Sequence, residues 1–415
     1  MSILRMQSSL SRHNHYVWLI VVTLLLRIAW AFLVPVVPLS DSHAYDVFAQ
    51  NIAQGNGYGW REGEPTAYWP VGTSLIYAIL YFIFGHHYLP IVILNLVLSG
   101  FIVWACMYLA ETWFDRKAAI ATGLLFASLP SQIQFTTVLA SELIFNALVL
   151  LALVFWFNFR LMLWQKAILT GIALAAGSYV RPTAMLIVIL LLFIHWLQQR
   201  QPLLTLKAGV IMVALLILLI APWSIRNTTV FGQFVTISTN GGANLWMGNN
   251  PNSTGGYMEL PEAVAGMNEA VRDTYLKQQA IAYIKKAPGV FVMNTGKRLF
   301  DTYSRQTIGI AWNEVGLTER YGAWILAPLK LWNQLFWMVT LGLGVVGAGC
   351  LVRSQGWFAA GTHTTIVLWA YFTAIHALIV SQDRYNFPSV PMIVILGGFA
   401  IACWSGRQRS VVPEK

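Results

Sequence analysis

Apolar residues fill most of the chain in long stretches, separated by short polar or basic connections. With a 19-residue window these fall at 17–37, 70–86, 89–112, 119–136, 141–159, 167–183, 184–199, 207–225, 331–352, 363–380 and 387–404. A helix needs about 20 apolar residues to cross a bilayer core. The pattern therefore predicts an all-α polytopic membrane protein. The basic connections set its orientation, because Lys and Arg collect on the cytoplasmic side. They are Arg5 and Arg12, Arg116 and Lys117, Arg160 and Lys166, Arg200 and Lys207, Arg353, and finally Arg407, Arg409 and Lys415. These fall on alternate connections only if 70–86 does not cross. The run Tyr68–Phe84 is aromatic and bracketed by Pro70 and Gly85, as suits an interfacial or re-entrant helix. The expectation is about ten transmembrane helices with both termini cytoplasmic. The alternative of eleven would move Arg116 and Lys117 outside.

Three polar segments then lie on the outer side, at 38–69, 137–141 and 226–330. The chain divides into an N-terminal transmembrane module, 1–225, whose first outer loop covers 38–88, a mixed extracytoplasmic loop domain, 226–330, and C-terminal transmembrane helices, 331–415. Within the loop domain, Glu262–Lys286 reads as an amphipathic helix through Val271, Tyr275 and Ala282, ended by Pro288–Gly289. Asn240–Tyr257 is rich in glycine and asparagine and reads as loop.

Composition narrows the class. The chain is 57% hydrophobic and only 10% charged, against about 25% charged in soluble domains. This excludes a water-soluble globule, and disorder with it. The formal charge of +10 comes without a dense basic run, so no nucleic-acid partner is expected. Cys106, Cys350 and Cys403 show no CxxC spacing, which argues against a disulfide framework or a zinc site. The first apolar run is too long for a cleavable signal, and no small-residue cleavage site follows it.

Polar side chains near a bilayer cost about 2.5–3.5 kcal/mol each by insertion scales, so their positions carry information. Here they gather at outer span ends: Asp41 and Asp46, Ser141–Glu142, Arg181, Arg226, and Asp383–Arg384. Carboxylates can take a hydroxyl proton, and guanidiniums can hold phosphate oxygens. An anionic lipid-linked substrate with a reacting hydroxyl would need both, although interfacial anchoring would use the same residue types. Ser40 or Asp41 would cap a short helix in the first loop. Asp46 is expected to face solvent, and His86–His87 to anchor the interface. Trp223 and Trp246 suit an aromatic belt or a sugar platform. Arg27 lies in mid-span, where an ion pair, backbone carbonyls or a lipid phosphate would satisfy it. A secondary transporter or flippase is the competing class. It would favour repeated halves and midplane charge, and the chain has only Arg27 and no evident repeat.

A set of motifs resembles the C-fold glycosyltransferases, most closely the branch of the dolichyl-phosphate-mannose protein mannosyltransferases and the lipid A aminoarabinose transferase. In the first loop these are D-x-x-x-Y at Asp41–Tyr45, A-x-x-x-x-x-G-x-G-Y ending at Tyr58, P-T-A-x-x-P-x-G from Pro65 to Gly72, and Phe84-Gly85. There follow in order Phe114-Asp-Arg116, Pro130, Ser141-Glu142-Leu-Ile-Phe145, Arg181-Pro182, Pro222-Trp223-Ser-Ile-Arg226-Asn227, Gly242-Ala-Asn244-Leu-Trp246-Met-Gly248, and Asp383-Arg384-Tyr385-Asn-Phe-Pro388. The resemblance implies an inverting hexosyl- or pentosyltransferase of an extracytoplasmic membrane face, most naturally that of a bacterial inner membrane. Its donor would be a polyprenyl-phosphate sugar and its acceptor a hydroxyl on a glycan, lipid or protein. Asp41 would be the catalytic base and Glu142 the remaining catalytic acid candidate. Tyr45, Arg181, Arg226, Asp383, Arg384 and Tyr385 would bind substrate. Where the family often has a second acid beside the first, this chain has Ser42. Two acids could hold a divalent metal, whereas one acid with an arginine would work without a cofactor.

Overall fold

The computed structural model describes residues 2–409, with side chains from His15 to Ser405. Arg5, Arg12, Arg407, Arg409 and Lys415, which orient the termini in the sequence reading, lie outside the described side chains. Among the described residues the chain is helical throughout, and the single β-contact is an isolated antiparallel bridge between Gly59 and Pro65.

The first half begins with α1 (Ser2–Leu33), α2 (Asp41–Ala53), α3 (Gly72–Phe84) and α4 (Leu89–Trp113). Next come α5 (Arg116–Ser128) and α6 (Pro130–Gln134), where Pro130 breaks the expected single span into a pair bent by 57°. Then follow α7 (Glu142–Phe157), α8 (Leu163–Val180), α9 (Ala184–Gln199) and α10 (Pro202–Phe231), which Gly232 ends in the left-handed conformation. The polar segment folds into α11 (Gly241–Gly248), α12 (Glu269–Lys286), α13 (Pro288–Ser304), α14 (Ile308–Ala311) and α15 (Glu314–Tyr321). The chain closes with α16 (Leu326–Gly361), α17 (Thr364–Leu378) and α18 (Val390–Arg409).

Two expectations for the polar segment change. Glycine-rich 241–248 is a helix, because Gly242 packs directly on the Asp273 backbone of α12, an approach that no side chain there would allow. The amphipathic helix starts at Glu269 rather than Glu262, where Asn268 caps it by accepting from the Ala270 N–H at 3.0 Å.

Five helices are long and apolar enough to cross a membrane, or six if the bent α5–α6 pair counts as one. Their outward faces carry Leu25, Phe32, Ile217, Leu218 and Val345, all largely exposed. Surface this apolar along whole helices is matched to hydrocarbon, and the protein is an integral multi-pass membrane protein. At 1.5 Å per residue the other apolar helices, of 13–16 residues, reach only about 20–24 Å.

The helix ends sort into two sets. At one end, the His363 ring stacks on Phe114 and meets Trp113 edge-on, and Gln198 donates to the Thr362 carbonyl at 3.2 Å. This end therefore holds the basic turns around Arg116, Arg200 and Thr362. At the other end α3 lies across the bundle. Gly72 abuts the Tyr179 backbone of α8, Tyr77 hydrogen-bonds Ala140, and Tyr81 and Tyr88 both reach Asp46 of α2. Both termini of α3 thus stay at one end.

Candidate active site

The sequence gathers its acids and arginines where α1, α8, α10 and α17 end and where α9 begins, and these ends enclose one cavity of about 1260 Å³. Its walls come from the first loop (Asp41, Tyr45, Trp69), the α8–α9 turn (Arg181), the irregular segment at 234–240, α12, and the turn after α17 (Arg384, Tyr385).

Asp41 is the first residue of α2. The preceding Ser40 has φ 54° and makes no side-chain cap, so the expected capping contact is absent and the Asp41 carboxylate is turned to another partner. Arg384 Nη1 donates to Asp41 Oδ2 at 2.7 Å. Arg384 is itself held by Gln382 Oε1, which accepts from its Nε at 2.6 Å, and it lies over the rings of Trp312 and Tyr385. Tyr385 stacks on His376 with ring centroids 4.9 Å apart, which fixes the phenol beside the arginine. A second ion pair stands deeper. Arg181 Nη2 donates to Glu142 Oε1 at 2.5 Å, and both Nε and Nη2 of Arg181 donate to Ser141 Oγ. Glu142 is 2% exposed and does not line the cavity, so Arg181 and Ser141 stand between it and the space. Tyr45 is buried against both acids. Burial first, then Asp41 and Glu142, push its phenol well above the usual range, so it is a neutral hydrogen-bonding group.

Asp41, Tyr45, Arg181, Arg384 and Tyr385 thus share the cavity, with Glu142 behind them. Two expected substrate ligands stand elsewhere. Arg226 Nη1 donates to the Thr66 carbonyl at 2.8 Å and to Asn227 Oδ1 at 3.0 Å, and its guanidinium covers Trp223, so it straps the first loop to the end of α10. Asp383 Oδ2 accepts from the Thr307 N–H and hydroxyl at 2.8 and 2.9 Å, which ties down the turn that carries Arg384. Their hydrogen-bonding capacity is directed at the fold. Trp223 likewise donates to the Ile237 carbonyl. Asp46, expected at the surface, is buried and accepts from Tyr81 at 2.6 Å and from Tyr88 at 3.2 Å, with His86 Nε2 at 3.1 Å. His86 is therefore a partner of Asp46, and Asp46 locks α2 to α3. Arg27 reaches the carbonyls of Thr23 and Ala127.

Other cavity residues carry no family motif. Glu269 accepts from Thr66 Oγ1, the Ala67 N–H and Thr239 Oγ1, joining three segments of the wall. Arg272, Asp273 and Lys277 line the same wall. Their helical spacing from Glu269 was the available signal. Beneath the Arg384 turn, the buried amides of Gln134, Gln306, Asn333 and Asn386 bond to one another and carry the 306 and 386 segments on α6 and α16. Isolated amides in apolar runs gave no hint of that network.

For a metal the donor set does not fit. No group of three or more His, Cys, Asp or Glu converges among the described residues, and Asp41 and Glu142 each face an arginine.

No family model and no curated protein matches the chain. Solved structures do. One is the archaeal oligosaccharyltransferase AglB from Archaeoglobus fulgidus in complex with an inhibitory peptide and a dolichol-phosphate. It has a TM-score of 0.55 and 12% identity, over 98% of this chain and 53% of that one. The chain shares its fold with the matched part of that structure. A second is the Archaeoglobus fulgidus oligosaccharyltransferase tethered with an acceptor peptide, at TM-score 0.56 and 13% identity, over 95% and 50% of the two chains. A third is that enzyme in complex with zinc and sulfate, at TM-score 0.55, 13% identity, and 94% and 50% coverage. The chain spans about half the length of the structures it matches. The likeness is one of fold and does not single out the mannosyltransferase branch to which the motifs point.

Proposed function

We propose that the protein is an inverting glycosyltransferase that moves a sugar from a polyprenyl phosphate to a hydroxyl acceptor. The observation that carries this reading is the Asp41–Arg384 ion pair on the wall of a cavity large enough for two substrates. The C-fold supports it, since the matching structures are oligosaccharyltransferases, one of them with a bound dolichol-phosphate.

In this reading Asp41 takes the acceptor's hydroxyl proton. The freed oxygen forms a bond to the anomeric carbon from the face opposite the donor phosphate. The bond from that carbon to the phosphate oxygen breaks, and the leaving phosphate keeps the electron pair. Arg384 stabilises the charge that builds on it. Arg384 can do both because Nη1 serves Asp41 and Nε serves Gln382, while Nη2 has no hydrogen-bond partner among the described residues. Arg181, neutralised by Glu142, would orient the donor through its planar face, and Tyr45 and Tyr385 would bind sugar hydroxyls. Ten crossings follow if α1, α4, the bent α5–α6, α7 to α10, α16, α17 and α18 all span. The cavity then faces away from the cytoplasm, since the basic turns gather at the other end.

Mass spectrometry of envelope glycans and lipid-linked sugars, with and without the protein, tests the reading. Accumulation of one polyprenyl-phosphate sugar with loss of one glycan substituent is the expected result. Unchanged lipid-linked sugars would remove it.

A further inference from the structure

The charges around the cavity are distributed unevenly. In the part nearest α2, each cation already has its carboxylate: Arg384 with Asp41, and Arg181 with Glu142. On the α12 wall the arrangement differs. Glu269, Arg272, Asp273 and Lys277 recur at helical spacing and all line the cavity. Both acids are turned to fixed donors of the fold. Glu269 takes three, from Thr66, Ala67 and Thr239, and Asp273 Oδ1 takes the Gly242 N–H at 2.5 Å. Burial raises the Asp273 carboxyl, against the pull of the Gly242 N–H, Lys277 and Arg272. Neither Arg272 nor Lys277 has a carboxylate within 4.0 Å among the described residues, and Arg272 rests only on the Tyr68 ring. The fold has spent its anions on backbone and hydroxyl donors and left two cations facing the space.

We propose that Arg272 and Lys277 form an anion subsite on the α12 wall, and that it selects acceptors bearing a phosphate or carboxylate beside the reacting hydroxyl. This rests on the transferase reading for the word acceptor, while the anion subsite itself does not. The cavity, at about 1260 Å³, exceeds the roughly 300–1,000 Å³ of a single-ligand pocket, so a second substrate has room beyond the donor. Arg272 supplies a planar fork and Lys277 a mobile point charge to the same cavity, chemistry suited to a tetrahedral or carboxylate anion. The donor's own phosphate is the other source of such an anion, and it would be held by Arg384 instead.

The test uses the full chain in lipid nanodiscs, with a hexose 6-phosphate, the matching neutral hexose and a polyprenyl phosphate as probes. Wild type should bind the sugar phosphate at least tenfold tighter than the hexose. Arg272→Gln with Lys277→Gln should weaken sugar-phosphate binding by about ten- to a hundredfold, since charged hydrogen bonds are lost. Polyprenyl-phosphate binding should stay within twofold. The exchange Arg272→Lys with Lys277→Arg should retain most of the affinity and shows that the helix still folds. Undiminished sugar-phosphate binding in the double glutamine variant overturns the proposal. So does loss of polyprenyl-phosphate binding in that variant, which would give the pair to the donor. Asp41→Asn separates the two readings: if it keeps full lipid-sugar turnover, the transferase mechanism fails and the anion subsite stands.

Discussion

Asp41 and Arg384 come from opposite ends of the chain and meet at 2.7 Å, and among the described residues no other carboxylate pairs with this arginine. If Asp41 is the base, Asp41→Asn should lower turnover by about 10²–10⁴-fold with the thermal midpoint nearly unchanged. Asp46 gives the contrast. Its carboxylate is buried under two tyrosines, so Asp46→Asn should destabilise the first loop and lower the thermal midpoint, with a smaller loss of turnover in the folded fraction. Equal turnover losses at the two positions, measured on folded protein, would mean that the base is misassigned. Arg384→Lys keeps the charge but cannot serve Asp41, Gln382 and a phosphate from one plane. Turnover should fall at least tenfold, and a variant with full activity and unaltered donor affinity would count against the role. Arg226→Lys should instead change stability more than donor affinity, because Arg226 is bonded to the Thr66 carbonyl and stacked on Trp223.

Among the elements, α3 and α12 position the cavity walls most directly. Gly72 opens α3 where an added Cβ would lie 2.6 Å from the Tyr179 carbonyl oxygen, and backbone on both sides cannot yield. Gly72→Ala should therefore push α3 off α8 at a cost of about 1–3 kcal/mol, read as a lower thermal midpoint. An unchanged midpoint would mean that the contact is not close in the folded protein. On α12, Glu269 holds the loop at Thr66–Ala67 and the return at Thr239. Glu269→Ala should open that junction, and proteolysis within 60–70 should quicken severalfold while α12 stays helical. Sequence reading anticipated α12 from its apolar spacing and missed this role, because nothing in the spacing of Glu269 names partners two hundred residues away.

For the whole molecule the prediction concerns topology: the end of the bundle that holds the cavity should face away from the cytoplasm. On a background without Cys106, Cys350 and Cys403, a cysteine at His87 or Thr254 should react with an impermeant thiol reagent applied outside cells. One at Arg160 should react only after permeabilisation. Labelling of Arg160→Cys from outside would invert the topology and place the cavity in the cytoplasm.

What the sequence determined alone was the class, a multi-pass bundle of apolar helices, and which basic turns share one end of it. Run lengths, charge scarcity and the alternation of basic turns are local properties, and each survives in the folded chain as apolar helices with those turns gathered at one end. The sequence could not decide what each polar residue does once buried. Asp41, Asp46, Arg226 and Asp383 look alike as charged residues near apolar runs. Asp41 faces the cavity because Ser40 turns the chain at φ 54° and Arg384 arrives from the far end of the chain. Asp46 lies five residues on, on another face of the helix, under Tyr81 and Tyr88. Arg226 and Asp383 meet backbone groups first. A hydrogen-bonding group in a weakly solvated interior takes whichever partner the packing brings within about 3 Å. That partner is chosen by contacts between distant segments, so only the tertiary structure could separate the site from its scaffold.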